Sequence, residues 1–230
     1  MRMGNLKLLP CEPEDAAEIL AGQVAAFSNP RQPFFFVLFP EDEEKEKAVK
    51  RTLDWWLCDK TAKYMKVVDE ETGAIVSAAK WCIYEEQLTE EQMNDTLHVD
   101  WHSEADTNEW GEYLIHWVHS HRLQRTKGAP CCVLDMMSTH PDHRRRGAGA
   151  MLVKWGTEIA DSMGVECFVE GTLAGRPLYE SCGFKAVPDN YLVLPVPEKW
   201  KSRPEIKYFF MERPGKVVLV ERSEGSVEAQ

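Results

Sequence analysis

The spacing of apolar residues along the chain predicts an alternation of strands and helices. Strands are indicated where apolar and polar residues alternate or where apolar residues form short runs, and helices where they recur every three or four positions. The predicted strands cover residues 5–9, 64–69, 74–84, 131–137, 165–171 and 206–211. Two helices are predicted at about 42–57 and about 176–181, and three others are predicted to begin at Pro13, at Thr107 and just after Gly149. This order favours a mixed sheet covered by helices.

One segment departs from the rest of the chain in its charge. Residues 85–121 hold ten carboxylates and neither Lys nor Arg, whereas the other 193 residues hold 28 acidic and 27 basic side chains. The formal charge of −11 is therefore almost entirely local. The segment is either a solvated acidic surface or a device that attracts a cationic amine. We predict a single domain over 1–215, with 85–125 as an acidic and aromatic insertion, and a C-terminal tail over 216–230.

Composition narrows the class of protein. A chain of 230 residues with 43% hydrophobic and 10% aromatic content is not disordered as a whole and can bury a core. Its acidity argues against nucleic acid and anionic membrane as partners, and no apolar run is long enough for a membrane helix. Seven cysteines without a CxxC pair favour reduced thiols in the cytoplasm, or in the nucleus, and argue against structural zinc.

Five of the seven histidines fall between residues 98 and 121. His98 and His102 have the spacing of a helical metal pair, but no thiol accompanies them. We therefore expect solvated or packed histidines and no metal. The aromatic residues nearby are expected in the core, although two of them are candidates for an acceptor pocket that uses cation–π contact.

The strongest local signal is the run RRRGAGA over residues 144–150, between a predicted strand and a predicted helix. Gly147 and Gly149 permit a tight turn, the helix N-terminus adds partial positive charge, and arginines donate charge-assisted hydrogen bonds. This combination suits a pyrophosphate, and the alternative is a glycine turn with solvated arginines. Neither the Walker nor the Rossmann glycine pattern is present, which argues against nucleotide hydrolysis and nicotinamide binding.

Two runs of sequence resemble a known family. Residues 134–152 resemble motif A of the GNAT-type N-acetyltransferases, [Q/R]-x-x-G-x-[G/A], with Arg144 and both glycines at its fixed positions. Residues 178–184, LYESCGF, are similar to motif B, L-Y-x-x-x-G-F. The order and spacing of the two motifs make the resemblance specific, and it covers about 5–213. The acidic segment, the tryptophans and the LDMM phrase look most like fungal members.

The resemblance implies the GNAT, or acyl-CoA N-acyltransferase, fold: an α/β fold whose mixed, mostly antiparallel sheet is splayed at the motif A strand, with helices on both faces. It also implies that acetyl-CoA lies between strands 131–139 and 165–171. Backbone groups of 137–139 would pair with the pantetheine, and those of 145–150 would hold the pyrophosphate. The residues expected to bind the cofactor are Met137, Ser138, Thr139, Arg144, Arg145, Arg146, Gly147, Ala148, Gly149 and Ala150.

Acetyl transfer to an amine requires a deprotonated amine and a proton for the departing thiolate. The resemblance implies that Tyr179 of motif B is the acid, and a packed tyrosine is the alternative. Asp135 is a candidate base because it lies in an apolar strand, where burial would raise its pKa. Glu170, at the end of the next strand, is its rival. Asp135 is equally a candidate structural partner, and a water chain would make neither carboxylate essential.

These expectations describe an acetyl-CoA-dependent N-acetyltransferase that modifies a primary amine by direct attack in a ternary complex. A small amine is the preferred acceptor, since nothing in the chain resembles a chromatin-reading module, and a cationic amine is expected if the acidic segment faces the active site. The alternative acceptor is a protein or peptide amine, at an N-terminus or a Lys. The alternative from another class is a CoA-binding sensor or interaction protein without turnover. The oligomeric state is left open.

Overall fold

The computed structural model describes residues 5–94 and 96–216. Its helices are α1 (Ala16–Ser28), α2 (Pro33–Leu38), α3 (Lys45–Cys58), α4 (Glu90–Asn94), α5 (Ala105–Thr126), α6 (Ala148–Met163) and α7 (Arg176–Ser181). Its strands are β1 (Leu6–Pro10), β2 (Ala62–Asp69), β3 (Ile75–Tyr84), β4 (Cys131–Thr139), β5 (Glu166–Gly171), β6 (Lys185–Ala186), β7 (Leu192–Val193) and β8 (Lys207–Arg213). The predicted tail lies, from residue 217 onward, outside the described residues.

The long elements agree with the apolar pattern, while the short ones α2, α4 and β7 are not predicted by it. The strands form one sheet in the order β1-β2-β3-β4-β5-β8-β6, and β7 pairs with β8 off this path. Neighbouring strands are antiparallel except β4 and β5, which are parallel. Gly73 adopts a φ of +74° in the turn between β2 and β3, where the sequence predicts a hairpin.

Helices cover both faces of the sheet. On one face α6 and α7 pack against Trp81 of β3, which is fully buried with Leu152 of α6. A Cβ at Gly156 would lie 2.2 Å from the Trp81 ring, so only glycine allows α6 to approach β3 this closely. On the other face Trp110 and Leu114 of α5 pack with apolar residues of β4, β5 and β8. The mixed, mostly antiparallel sheet with helices on both faces is confirmed.

In helix α1 the apolar side chain of Val24 is 39% exposed, while the polar side chain of Gln23 is buried. Five of the seven cysteines are buried, and Cys58 is exposed. None of the helices in the described part of the chain combines the length and the apolar character needed to cross a membrane.

Candidate active site

Strands β4 and β5 separate part-way along β4 and open a cleft between them. Their parallel pairing ends at Leu134 and Val169, whereas β4 continues to Thr139 paired with β3 alone. The register between β3 and β4 shifts beside Lys80, which makes Asp135 the extra residue of a β-bulge. Beyond the bulge, the backbone edge of β4 that faces β5 pairs with none of the strands in the described residues, so it is available to an extended ligand.

The loop after β4 and the first turn of α6 form one end of this cleft. Gly147 is the N-cap of α6 and has a φ of +93°, a left-handed conformation that favours glycine. A Cβ at Gly149 would lie 2.9 Å from Leu178 of α7, so this glycine lets the two helices approach closely. The first N–H groups of a helix have no intrahelical acceptor, and residues 147–150 border the cleft. The arrangement provides the free donors that a pyrophosphate needs.

The three arginines of the loop have different surroundings. Arg144 donates to two backbone carbonyls at and just after the end of α1, at 2.9 and 3.1 Å, and so ties the loop to that helix. Arg146 pairs with Asp69 at 2.7 Å and does not border the cleft. Arg145 is exposed, borders the cleft and is not paired with any carboxylate of the described residues. Of the three predicted guanidinium contacts to pyrophosphate, Arg145 is therefore the one whose side chain is free to make it.

Five charged side chains form a connected series along the cleft, which we call the charge chain: Asp59, Lys80, Asp135, Arg122 and Glu170. Lys80 Nζ lies 3.4 Å from Asp59 and 3.0 Å from Asp135. Arg122 of α5 lies 3.4 Å from Asp135 and donates two hydrogen bonds, of 2.9 and 2.7 Å, to Glu170 of β5. Asp135 and Glu170, both candidate bases, are thus brought together by one guanidinium.

The charge chain sets the pKa of Asp135. Desolvation by itself would raise this pKa, but the positive charges of Lys80 and Arg122 outweigh desolvation and hold it well below its usual range. Desolvation by itself would lower the pKa of Lys80, but the negative charge of Asp135, with a smaller contribution from Asp59, outweighs it and raises that pKa. The expectation of a raised pKa at Asp135 is therefore wrong, because its surroundings are cationic rather than apolar. The structure shows instead the other predicted possibility, a carboxylate that serves as an ion-pair partner.

Helix α5 presents one face to the cleft, with residues three or four positions apart. They are Ile115, Val118, His119, Arg122, Leu123 and Thr126. Burial, together with the positive charge of Arg122, lowers the pKa of His119, so its imidazole is neutral at pH 7. Strand β8 adds Tyr208, which is 6% exposed and whose hydroxyl lacks a hydrogen-bond partner among the described residues.

The cleft has a volume of about 1510 Å³. A pocket for one drug-sized ligand usually measures roughly 300–1,000 Å³, so the cleft is large enough for two substrates side by side. Its wall continues from the loop of residues 144–150 to α2, to the end of α3 and to residues 88–98. The acidic segment therefore borders the cleft, but it does so through neutral side chains such as Leu88, Met93 and Leu97. None of the described carboxylates of residues 85–121 lines it.

The family model for acetyltransferases (GNAT family) matches residues 29–184, which is more than half of the chain. The chain belongs to the GNAT acetyltransferase family. No curated protein sequence resembles this acetyltransferase closely enough to count as a match.

Solved structures similar to this acetyltransferase span nearly its whole length. Arylalkylamine N-acetyltransferase 2 from Aedes aegypti has a TM-score of 0.62 and 13% identity, over 92% of this chain and 100% of that chain. A mutant agmatine N-acetyltransferase in its apo form has a TM-score of 0.60 and 14% identity, over 91% and 99%. Histone acetyltransferase HPA2 and related acetyltransferase from Corynebacterium glutamicum has a TM-score of 0.56 and 18% identity, over 94% and 99%. At these identities the likeness shows the fold alone.

Membership of the family makes this chain an N-acetyltransferase whose acetyl donor is acetyl-CoA. The residues predicted to contact CoA fit that donor, because all of them except Arg146 border the cleft. The side chain of Arg146 points elsewhere, so only its backbone N–H is left to contact CoA. The predicted residues that border the cleft are Met137, Ser138, Thr139, Arg144, Arg145, Gly147, Ala148, Gly149 and Ala150.

Tyr179 lies in α7, on the side of the sheet that α6 covers, and borders the same cleft. It is 6% exposed, and burial raises its pKa, so the phenol is protonated at neutral pH. A Cβ at Gly171 or Gly175 would approach the ring to 3.0 or 2.8 Å, so both glycines make room for it. The position suits a proton donor, and the acid role of Tyr179 stays a prediction.

Sequence reasoning missed His119, Arg122, Lys80 and Tyr208. Lys80 carries a signal, since it is the single charged residue in the strand of residues 75–84, and a buried lysine requires a carboxylate partner. His119 and Arg122 show only an i,i+3 spacing, which many solvated helices share. Tyr208 carries no signal, because an unpartnered hydroxyl can be recognised only from its surroundings.

His98 and His102, which have the sequence spacing of a helical metal pair, have separate partners in the structure. The Nδ1 atom of His98 lies 2.6 Å from Glu112, and Nε2 of His102 lies 2.8 Å from the backbone carbonyl of Val37. Within residues 5–94 and 96–216 there is no group of three or more His, Cys, Asp or Glu residues positioned to hold a metal ion.

Proposed function

We propose that this enzyme transfers the acetyl group of acetyl-CoA to the primary amine of a small molecule, by direct attack in a ternary complex. The observation that carries the proposal is the part of the cleft wall formed by elements other than the loop of residues 144–150. Phe34 and Leu38 of α2, Trp55 of α3, the side chains of Leu88, Met93 and Leu97, and the inner face of α5 form this part of the wall, and we call the space beside it the chamber. A chamber with walls on several sides suits a compact acceptor and leaves little room for a polypeptide.

Hydrogen bonds to the loop after α5 hold one wall of the chamber in place. The backbone N–H of Leu88 donates to the carbonyl of Gly128 at 2.9 Å, and the side chain of Gln87 donates to the carbonyl of Lys127 at 2.9 Å. The chamber is lined by apolar and aromatic side chains such as Phe34, Leu38 and Trp55, and Arg122 of the charge chain lies on the α5 face that also lines it. This combination favours an acceptor with an apolar body and a single amine directed at the charge chain.

The similar structures support the same acceptor class without naming the acceptor. Two of them carry the names of enzymes that act on small amines, an arylalkylamine and agmatine. A third carries the name of a histone acetyltransferase, so a protein amine is the acceptor to test against.

In this proposal three groups of residues bind the pyrophosphate, bind the pantetheine and protonate the leaving sulfur. Backbone N–H groups at the start of α6 and the side chain of Arg145 hold the pyrophosphate, and the free edge of β4 holds the pantetheine. Acetyl-CoA supplies the acetyl thioester. Tyr179 gives a proton to the sulfur as it leaves, which its raised pKa permits because the phenol still carries its proton.

A CoA-release assay with a panel of amines tests the proposal. The panel contains 2-phenylethylamine, agmatine and spermidine, together with one peptide that has a free N-terminus and one that has a free Lys side chain. We expect the largest kcat/KM for a small amine. A peptide preferred by tenfold or more would overturn the proposed acceptor class, and acetyl-CoA binding without turnover of any amine would support the non-catalytic alternative.

A further inference from the structure

His119 is a basic group on the cleft wall that takes no part in the charge chain. Each carboxylate of the charge chain contacts a cation, at 3.4 Å or less. His119 borders the same cleft and takes no part in those hydrogen bonds. It lies one helical turn before Arg122, on the face of α5 that is directed at the cleft.

We propose that His119 is the catalytic residue that accepts the proton of the incoming ammonium group. The proposal rests on the proposed function, since it requires an amine acceptor in the chamber. Asp135 and Glu170 border the same space, but their negative charges are neutralised by Lys80 and Arg122. His119 lies on the same face of α5 as Arg122, and it needs no ion pair of the charge chain to be broken before it can act.

The charges around His119 explain why it is neutral at rest and able to hold a proton during the reaction. The charged groups that act on it are Arg122 from α5, Asp135 from β4, Glu170 from β5 and Lys80 from β3. Burial and Arg122 disfavour the imidazolium in the free enzyme. The charge chain, however, has three carboxylates against two cations and so a net charge of −1. This negative charge attracts an ammonium and stabilises the imidazolium formed when the proton moves.

Proton transfer to His119 comes before formation of the C–N bond. A proton passes from R–NH3+ to the imidazole, which leaves R–NH2 and His119 as its imidazolium. The nitrogen lone pair then forms the C–N bond with the acetyl carbonyl carbon, and the C–S bond breaks with its electron pair on the CoA sulfur. The second amine proton is lost from nitrogen to solvent, the thiolate gains one proton from Tyr179, and solvent returns one proton to Tyr179. The imidazolium releases its proton to solvent, so R–NH3+ and acetyl-CoA give the amide, CoA–SH and one proton.

The test is the pH dependence of His119→Gln with the best amine found in the CoA-release panel. In the wild type, kcat should fall on the acid side with a midpoint below about 6.5, the ordinary pKa of histidine. In His119→Gln, kcat should be at least about 100-fold lower, the usual loss when a general base is removed, and the acid-side fall should disappear. Added imidazole should restore part of the rate, which a purely structural defect would not permit. The dissociation constant for acetyl-CoA should stay within about twofold.

His116→Gln is the matched control, because His116 is an exposed histidine of the same helix whose ring contacts Ser120. It should leave both the rate and the profile unchanged. His119→Asn serves as a second variant, and circular dichroism shows whether each variant is folded. A folded His119 variant that keeps the wild-type rate and the acid-side fall would overturn the proposal. If the best acceptor is a peptide, the proposed acceptor class fails, but the same measurements with that peptide still decide the role of His119.

Discussion

Replacing Asp135 by Asn distinguishes an ion-pair partner from a catalytic base, because the two roles predict opposite effects of pH on stability. The substitution keeps the shape of the side chain and removes its charge. Lys80 then loses the carboxylate at 3.0 Å, and Arg122 loses the one at 3.4 Å. Both cations are largely buried, with 19% and 13% of their side chains exposed.

The size of the effect follows from what the two cations retain. Removal of one partner from a buried ion pair typically costs about 3–5 kcal/mol. Here Lys80 keeps Asp59, Arg122 keeps both hydrogen bonds to Glu170, and 27% of the Asp135 side chain is exposed. We therefore expect the low end, about 3 kcal/mol of unfolding free energy. For a domain of this size that corresponds to a decrease in Tm of about 6–12 °C.

The assay is urea or thermal unfolding of wild type and variant at pH 5 and at pH 8. The pKa of Asp135 is lower in the folded state than in the unfolded chain, where it is about 3.9. Its stabilisation is therefore fully present above about pH 4 and is lost as the pH falls through the lower folded value. The difference between wild type and variant should be equal at pH 5 and pH 8.

A base with a raised pKa would give another result. The folded wild type would then bind more protons than the unfolded chain, and its advantage over the variant would shrink as the pH rises from 5 to 8. A change of more than about 1 kcal/mol across this range, about 0.7 pKa units, would refute the ion-pair interpretation, as would a variant as stable as the wild type. Asp54→Asn, which removes an exposed partner of Lys50, is the control and should have little effect.

Three further predictions concern the donor and acceptor ends of the cleft. Tyr179→Phe should lower kcat by about 100-fold with an unchanged calorimetric dissociation constant for acetyl-CoA, and a full rate would remove the proposed acid. Arg145→Ala should weaken acetyl-CoA binding, and most strongly at low salt. Arg146→Ala should mainly lower the free energy of unfolding, because Asp69 loses its partner. Equal effects of the two variants on acetyl-CoA binding would contradict the different roles proposed for these arginines. Tyr208→Phe should leave stability unchanged or raise it by about 1 kcal/mol, since it removes an unpartnered buried hydroxyl, and should raise the KM of the acceptor; a loss of stability would mean that the hydroxyl is partnered in solution.

The main elements of the fold were predictable because their signals are local. The glycine turn before α6 and the start of that helix follow from the run of residues 144–150, and the run of residues 131–139 contains the strand that the resemblance places at the splay. The bulge at Asp135 was not predictable, since it is a property of the register between β3 and β4. The short helix α2 was also missed, because its apolar run is as compatible with a strand as with a helix.

Prediction of the site divides along the same line. The loop of residues 144–150 is one continuous stretch of sequence, so its glycine pattern and the start of the helix that follows were enough to identify it. The charge chain joins three strands, one helix and the residue after α3, each of which contributes a single charged residue. Asp135 shows the consequence: in sequence it is a carboxylate among apolar residues, but in space it lies between Lys80 and Arg122. The sign of its pKa shift could not be deduced without knowing those neighbours.

The structure also changes the interpretation of the acidic segment of residues 85–121. Its excess of carboxylates is balanced partly by bases distant in sequence, since Asp106 pairs with Arg203 and Glu109 pairs with Lys199, both at 2.5 Å. Exposed pairs of this kind contribute little stability, but they place the acidic side chains against the connection before β8, away from the cleft lining. The local negative charge that an ammonium meets comes instead from the charge chain, whose members lie in segments that are nearly neutral overall. Salt should therefore affect acceptor binding less than the charge of −11 suggests, because partly buried charges are screened less than exposed ones.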